Sequence, residues 1–272
     1  MPVITLTSDI GNNDFVIGAL KGQLVTSNPY VNIIDINHNI APYNYIQAAY
    51  MCRSSFQFFP SDTVHLVLVD VFHDERVSFV IARFGRHWIV CPNHGLLTMI
   101  TGAMPYDAAV IEIPVLPSMH LLHITQHITG VIQQAVSGVA LHQLHTPGAK
   151  IVEKYPLRAT IGPDWMEAQI MFIDNYENVV VNITHQEFEE ARKGRKFIIE
   201  FTRNQITKLS TSYADAQMGE AVAWFNAAGY LELAINHGKM ASLFGLRGIT
   251  DYTIKNRSSD RLFYETIRVF FR

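Results

Sequence analysis

Along the first half of the chain, the alternation of apolar and polar segments predicts repeated strand, loop and helix units. Apolar residues at 3–7 predict a strand, residues 8–14 form a polar turn, and helical spacing over 15–25 predicts a helix. Strands are then predicted at 32–36, 63–70, 77–84, 87–91 and 108–113, and helices at 45–59, 94–101 and 124–144. Because strands that alternate with helices build parallel sheets, this half predicts an α/β domain with a mostly parallel central sheet.

The second half has a different pattern, in which glycine, proline and charged residues separate short strands. These strands are predicted at 169–174, 179–183, 196–201, 222–226, 230–235 and 263–271. Such a series predicts a smaller C-terminal β-barrel domain. Turn-forming residues at 147–157 predict a linker, so the domains are predicted to span 1–146 and 158–272.

Composition and charge limit the possible partners. The 272 residues are 49% hydrophobic and 17% charged, which is typical of a folded chain, and a net charge of −3 gives no general attraction to nucleic acid. No apolar stretch approaches the roughly 18 residues of a membrane span, so no membrane partner is expected. Two cysteines and the absence of a signal-peptide pattern predict a cytoplasmic protein.

Candidate chemistry is concentrated in the first half, which holds ten of the twelve histidines. Asp9, Asp35 and Asp70 each lie at or just after the end of a predicted strand. In open α/β sheets this edge binds ligands, and a carboxylate there suits hydroxyl groups or a cation. Capping of the following turn explains a single aspartate equally well.

Three histidines, His120, His123 and His127, raise the possibility of a metal site, because 123 and 127 lie one helical turn apart. The glutamate that a zincin motif places after its first histidine is absent, since Ile124 stands there. The chain also lacks a glycine-rich phosphate loop, a Gly-x-Ser-x-Gly elbow and a Cys-x-x-Cys motif. A metal-assisted hydrolase therefore remains an alternative hypothesis.

In the second half, two polar turns carry aromatic side chains beside amides, at 174–178 and 224–229. An aromatic ring can stack on a purine while an asparagine binds the purine edge. Packing in the barrel core explains the aromatic residues Tyr176 and Phe225 equally well.

Five motifs follow one another along the chain: Ile4-Thr-Leu-Thr-Ser-Asp-Ile-Gly-Asn-Asn-Asp14, Ile34-Asp-Ile-Asn-His-Asn-Ile-Ala-Pro42, Cys91-Pro-Asn-His-Gly-Leu-Leu97, Asp174-Asn-Tyr-Glu-Asn178 and Asn226-Ala-Ala-Gly-Tyr-Leu-Glu-Leu-Ala234. In this order and spacing they resemble the S-adenosyl-L-methionine hydroxide adenosyltransferase family, which is related to the bacterial fluorinase and chlorinase. The resemblance covers nearly the whole chain. It implies an N-terminal α/β domain and a C-terminal β-barrel. It also implies a homotrimer that binds S-adenosylmethionine between one subunit's first domain and its neighbour's second.

The resemblance also implies a reaction, the hydrolysis of S-adenosylmethionine to adenosine and methionine by attack of water or hydroxide at the ribose C5′. S-adenosylmethionine is then the substrate, with no cofactor and no metal. The implied catalytic residues are Asp70, Arg76 and His123. The implied substrate-binding residues are Asp9 for the ribose, Asp14 and Asp174 for the ammonium group, Asn178 and Asn226 for adenine and the carboxylate, and Tyr43, Tyr176 and Phe225 as aromatic walls.

Two departures from the family pattern keep a second hypothesis open. The loop at 70–76 is one residue shorter than the family's and lacks its glycines, and residues 124–128 lack the Arg and Asp that follow the family's histidine. His127 or His73 could have taken over the role of His123. A protein that binds the nucleoside without turning it over is the principal alternative, and halogenation is a further one.

Overall fold

The computed structural model describes residues 2–114, 118–248 and 266–272. The chain divides into two compact units, Met1–Pro156 and Leu157–Arg272. Each unit has its own buried apolar core. In the part of the chain that the structure describes, no helix has the length and apolar character required to cross a membrane.

The first unit consists of a six-stranded sheet and five helices within the described residues. Its elements are β1 (Val3–Ser8), α1 (Val16–Ser27), β2 (Asn32–Asn37), α2 (Tyr45–Phe56), β3 (Val64–Leu68), β4 (Ser78–Phe84), β5 (His87–Pro92), α3 (Leu96–Thr101), β6 (Asp107–Glu112), α4 (Leu121–Val136) and α5 (Leu141–Leu144).

The strand order in this sheet is β2-β1-β3-β5-β4-β6. Strand β1 pairs in parallel with β2 and β3, and β3 pairs in parallel with β5, whereas β4 is antiparallel to both of its neighbours. Strand β3 is buried throughout, which its mainly apolar sequence, interrupted only by His65, predicts. The mostly parallel α/β sheet is thus confirmed, and the carboxyl ends of β1, β3 and β5 meet at one edge.

Local sequence explains where two helices of this unit begin and end. Helix α2 begins after Asn44, whose side chain accepts a hydrogen bond from the backbone N–H of Gln47. The single helix predicted at 124–144 is wrong, because α4 ends at Val136 and α5 is separate. Gly138 lies between them with φ of 98°, a left-handed conformation that glycine adopts without steric cost.

The second unit contains an antiparallel sheet that curves into a nearly closed barrel. Its strand order is β11-β10-β14-β8-β9-β13-β12, with β7 paired to β8. The elements are β7 (Thr160–Ile161), β8 (Trp165–Ile173), β9 (Val179–Thr184), α6 (His185–Arg192), β10 (Phe197–Phe201), β11 (Asn204–Ile206), β12 (Ala221–Phe225), β13 (Tyr230–Ile235), α7 (Met240–Phe244) and β14 (Thr266–Phe271). The predicted strand at 263–271 begins outside the described residues.

Helix α6 is an element that hydrophobic periodicity missed. A capping box starts it: the Thr184 hydroxyl accepts from the Glu187 backbone N–H, and the Glu187 carboxylate accepts from the Thr184 backbone N–H. Phe188 is the buried residue that attaches this short helix to the barrel core. Most residues of α6 are polar, so the spacing of apolar residues did not predict this helix.

The segment 147–156, which the turn residues mark as a linker, hydrogen-bonds within the first unit. The Asn93 side chain donates to the Lys150 carbonyl and accepts from the Val152 backbone N–H. The Thr98 hydroxyl likewise donates to the Lys154 carbonyl at 2.5 Å. These bonds place Lys154 beside the carboxyl ends of β3 and β5.

Candidate functional site

Two of the predicted aspartates lie in contact at the carboxyl edge of the parallel sheet. Asp9 follows β1 and Asp70 follows β3, and an Asp9 Oδ2 atom accepts a hydrogen bond from the Asp70 backbone N–H at 3.0 Å. Burial raises the pKa of the Asp9 carboxyl, the Asp70 backbone bond opposes this, and the nearby Asp70 charge adds to the increase. Asp35, by contrast, is paired with Lys21 at 2.5 Å.

Asp70 is held in an uncommon backbone conformation. Its φ is 51°, in the left-handed region that only a few per cent of non-glycine residues adopt. The hydroxyl of Tyr45, the first residue of α2, donates to Asp70 Oδ2. The half-buried Asp70 carboxylate is therefore fixed by α2 on one side and by the Asp9 contact with its own backbone on the other.

His94 supports this arrangement from the turn between β5 and α3. It is 3% exposed, its ring stacks on Tyr45 with centroids 4.3 Å apart, and its Nε2 atom lies 3.0 Å from the Val69 carbonyl. Burial lowers the pKa of His94 to about 4, so the ring is neutral near pH 7. The ring of His73 contacts the His94 ring in an edge-to-face arrangement, with centroids 4.8 Å apart.

Lys154 brings a positive charge to the same cluster. Its Nζ atom lies 4.3 Å from the centroid of the Tyr45 ring, in a cation–π geometry. The lysine side chain passes over Gly95, where a Cβ atom would come within 2.4 Å of the Lys154 Cγ. Glycine at position 95 is thus required both for this approach and for its φ of 101°.

The other two predicted catalytic residues are not in contact with Asp70. Arg76 is exposed and forms no hydrogen bond or ion pair within the described ranges. His123 lies on α4, stacks on His120 at 3.6 Å, and lines a cavity of about 280 Å³ together with His127. The structure therefore joins Asp9 to Asp70 and leaves Arg76 and His123 apart from them.

The loops at the same edge present Asp14 and Tyr43 to solvent. Asp14 accepts a hydrogen bond from the backbone N–H of Phe15, and the Tyr43 ring is 54% exposed. Phe15 and Phe72 are also exposed there, in the loops after β1 and β3. Exposed aromatic rings beside a carboxylate provide stacking surfaces for a planar ligand.

In the second unit, Asp174 organises the turn between β8 and β9. Its Oδ1 atom accepts from the backbone N–H groups of Tyr176 and Asn178, at 2.9 and 2.8 Å, and its Oδ2 atom accepts from the Asn178 side chain at 2.9 Å. The Asp174 side chain therefore stabilises its own turn, which fixes Asn178 in one orientation.

A buried carboxylate connects the two asparagines. Glu232 is 7% exposed, and its two oxygens accept from the Tyr213 hydroxyl at 2.7 Å and from Asn226 Nδ2 at 3.1 Å. The Tyr213 hydroxyl in turn accepts from Asn178 Nδ2 at 3.1 Å. Burial and the Glu232 bond both raise the pKa of Tyr213. Asn178 and Asn226 thus belong to one hydrogen-bond network.

This network borders a cavity of about 840 Å³ lined by Asp174, Tyr176, Asn178 and Lys239. Tyr176 is 75% exposed at its mouth. Phe225 does not line this cavity: its ring contacts His185 and Phe188 on the core side of the barrel. The volume is large enough for part of a nucleoside-sized ligand.

Several residues of the two clusters were not predicted as site residues: Tyr45, His94 and Lys154 in the first unit, and Tyr213 and Glu232 in the second. His94 and Glu232 lie within two of the five sequence motifs, so the motifs could have identified them as candidate site residues. No such signal exists for Lys154, because its segment has the composition of a linker. Among the described residues no three His, Cys, Asp or Glu side chains are grouped as a metal site.

Comparisons with known proteins cover both units. The model of the SAM hydroxide adenosyltransferase N-terminal domain matches residues 4–145, and that of the C-terminal domain matches residues 168–251. A crystal structure of a protein from Thermotoga maritima shares the fold, with a TM-score of 0.75 at 19% identity over 98% of this chain and 99% of that one.

Curated relatives carry two activities in their names. An (R)-S-adenosyl-L-methionine hydrolase of Methanocaldococcus jannaschii is 35% identical over 105 residues, which are 37% of this chain and 40% of that protein. A hydrolase of the same name from Thermus thermophilus is 26% identical over 91% of this chain and 97% of its own length. A fluorinase of Actinopolyspora mzabensis is 23% identical over 90% of this chain and 94% of its own.

Proposed function

Because the chain belongs to the SAM hydroxide adenosyltransferase family, we propose that it hydrolyses S-adenosylmethionine to adenosine and methionine. The observation that carries this proposal is the contact between Asp9 and Asp70 at the ligand-binding edge of the sheet. Relatives named as hydrolases that match most of the chain support it.

The reaction needs little chemical activation of the leaving group. The sulfonium sulfur of S-adenosylmethionine leaves as the neutral thioether of methionine, so no acid has to protonate it. The barrier lies in holding a weak nucleophile in line with the C5′–S bond and in removing its proton. A carboxylate fixed on both sides, as Asp70 is by Tyr45 and the Asp9 contact, suits the holding of that water molecule.

Asp9 is proposed to bind the ribose hydroxyls. Its raised pKa reflects partial desolvation, and each hydroxyl that donates to the carboxylate would replace a lost water contact. Asp14 and the ring of Tyr43 are proposed to bind the methionine and adenine portions at the same edge.

In the second unit, Asn178 and Asn226 are proposed to bind the polar edge of adenine or the methionine carboxylate. The support is their shared anchor on the buried Glu232, which restricts both amides to one orientation. Asp174 and Tyr176 are proposed to complete this part of the site, and Phe225 to support it from the barrel core.

We also propose a homotrimer in which each substrate lies between the first unit of one subunit and the second unit of its neighbour. The division of the candidate residues between two separate units supports a shared site. A cytoplasmic location is proposed because both cysteines are buried and unpaired, which suits a reducing compartment.

The test is incubation of the purified protein with S-adenosylmethionine, with and without a chelator. Chromatography resolves adenosine, methionine and halogenated nucleosides, and calorimetry measures binding. We expect adenosine and methionine in equal amounts in both samples. Asp70→Asn should reduce product formation strongly, while Asp107→Asn, at an exposed carboxylate that begins β6, is the matched control and should not.

The alternatives give different results in the same experiment. Saturable binding without product would establish a binding protein and contradict hydrolysis. Loss of activity with chelator would favour a metal-assisted hydrolase built on His120, His123 and His127. A halogenated nucleoside formed in the presence of halide would assign the fluorinase-like reaction instead.

A further inference from the structure

Two histidines beside Asp70 have no role in the proposed function, and each carries a buried ring nitrogen without a partner. These atoms are Nδ1 of His73 and Nδ1 of His94. A buried polar atom that lacks a hydrogen bond costs about 1–3 kcal/mol, so such atoms are rare in native proteins. Two of them together, at the ligand-binding edge of the sheet, leave hydrogen-bonding positions that a bound water molecule or substrate can fill.

The proton positions on His94 follow from its contacts. A carbonyl oxygen only accepts hydrogen bonds, so the Nε2 atom that faces the Val69 carbonyl at 3.0 Å carries the hydrogen. In the neutral ring, Nδ1 is then an acceptor. The Tyr45 ring on one face and the His73 ring at its side restrict any rotation of the imidazole. His94 is therefore a rigid, neutral support.

His73 is placed differently, because it lies in the loop that follows Asp70 and is only half-buried. Its Nδ1 atom is buried, whereas its Nε2 atom is not. The edge-to-face contact with His94 fixes the orientation of the ring relative to β5. A water molecule at the Asp70 edge can thus reach one nitrogen of an imidazole that the protein holds in place.

On the premise of the proposed function, we infer that His73 accepts the proton of the attacking water and that His94 is its positioning residue. The water oxygen forms the bond to C5′, and the C5′–S bond breaks with its electron pair passing to sulfur. The water proton passes to His73 Nε2 and then to solvent. One S-adenosylmethionine cation and one water yield adenosine, methionine and one proton.

His73 thereby takes the role that the family resemblance gives to His123. His123 also has a buried Nδ1 atom without a partner, but its ring stacks on His120 beside a different cavity, whereas His73 lies in the loop that follows Asp70. His94 links His73 to Tyr45, which orients Asp70, through ring stacking, and it also contacts the carbonyl of Val69, the residue before Asp70. The positions of the attacking water and of His73 therefore both depend on the buried ring of His94.

The first experiment measures kcat from adenosine release and Kd for S-adenosylmethionine by calorimetry in His73→Gln. General base catalysis contributes 100-fold or more, so we expect kcat to fall by about 100-fold while Kd changes less than about twofold. His142→Gln, at an exposed histidine of α5 in the same unit, is the matched control and should retain the wild-type kcat. Added imidazole should restore part of the activity of His73→Ala.

The positioning role of His94 is tested with two variants, since residue 94 is buried. His94→Gln keeps an N–H donor for the Val69 carbonyl but loses the ring, and His94→Phe keeps a ring that can contact both Tyr45 and His73. We expect His94→Gln to lose kcat at unchanged Kd, because His73 loses the contact that orients it, and His94→Phe to keep most of kcat. Equal losses of kcat and of binding in both variants would mean a purely structural role and would contradict the positioning assignment.

The outcomes separate this inference from its premise. If wild-type protein forms no adenosine, the proposed function fails and the inference fails with it. If wild-type protein is active and His73→Gln keeps its kcat within about threefold, the inference alone is overturned. A loss of activity in His123→Gln with full activity in His73→Gln would return the role to His123.

Discussion

The hydrogen-bond network around Glu232 gives a quantitative prediction about the stability of the second unit. The Tyr213 hydroxyl donates a hydrogen bond of 2.7 Å to Glu232 Oε1, and Glu232 is 7% exposed. In Tyr213→Phe the Glu232 Oε1 atom remains buried without that donor. Asn178 loses its bond to Tyr213 but keeps its bond to Asp174.

The expected loss follows from these contacts. A hydrogen bond to a charged group contributes about 1.5–3 kcal/mol. The loss of the bond between Asn178 and Tyr213 adds little, because the Asn178 amide keeps Asp174 as an acceptor. We therefore expect Tyr213→Phe to lower the free energy of unfolding of this unit by about 2 kcal/mol. For a unit of this size such a loss lowers Tm by roughly 8 °C.

The assay is denaturant unfolding followed by circular dichroism, together with thermal scans. Tyr106→Phe is the matched control, because Tyr106 is fully exposed and its hydroxyl has no partner among the described residues. The control should change stability by less than about 0.5 kcal/mol. A change of that small size in Tyr213→Phe would refute the reasoning, because Glu232 would then not depend on this donor.

Three further predictions concern the first unit. Asp9→Asn should weaken S-adenosylmethionine binding by about tenfold or more, since an amide accepts fewer hydrogen bonds from the ribose than a carboxylate does. Calorimetry measures this change, and an unchanged Kd would show that Asp9 does not bind the substrate. Burial lowers the pKa of His65 to about 3 in the folded protein, whereas the ordinary value in an unfolded chain is about 6.5. Between these two pH values the unfolded chain binds a proton that the folded protein does not bind. The free energy of unfolding should therefore fall by about 1.4 kcal/mol for each pH unit from pH 6.5 towards pH 3. Denaturation across this range should show a weaker slope in His65→Gln. Cys52 and Cys91 are buried, and burial raises the pKa of both thiols, so native protein should resist alkylation that proceeds fully after unfolding.

The part of the site that sequence predicted best is the part fixed by sheet topology. Asp9 and Asp70 follow β1 and β3, and because these strands are parallel neighbours, their ends had to meet at one edge. The α/β order and the family motifs were enough to place them. In the structure, the Asp9 side chain contacts the Asp70 backbone.

Side-chain partners from distant segments were beyond sequence reasoning. Tyr45 is in helical spacing and reads as a core residue, yet its hydroxyl reaches Asp70, 25 positions away. Lys154 reaches the same cluster only because Gly95 leaves room for its side chain. Such contacts depend on three-dimensional packing, which hydrophobic periods and turn residues do not encode.

The left-handed conformation of Asp70 carries a thermodynamic consequence. A non-glycine residue with φ near 51° is strained by about 1 kcal/mol or more, and glycine would adopt this conformation without that cost. Asp70→Gly removes that strain but also removes the acceptor of the Tyr45 hydroxyl, so we expect a protein that forms no product and unfolds close to the wild-type temperature. The hydrogen bond from Tyr45 thus offsets the backbone strain that comes with a carboxylate at this position.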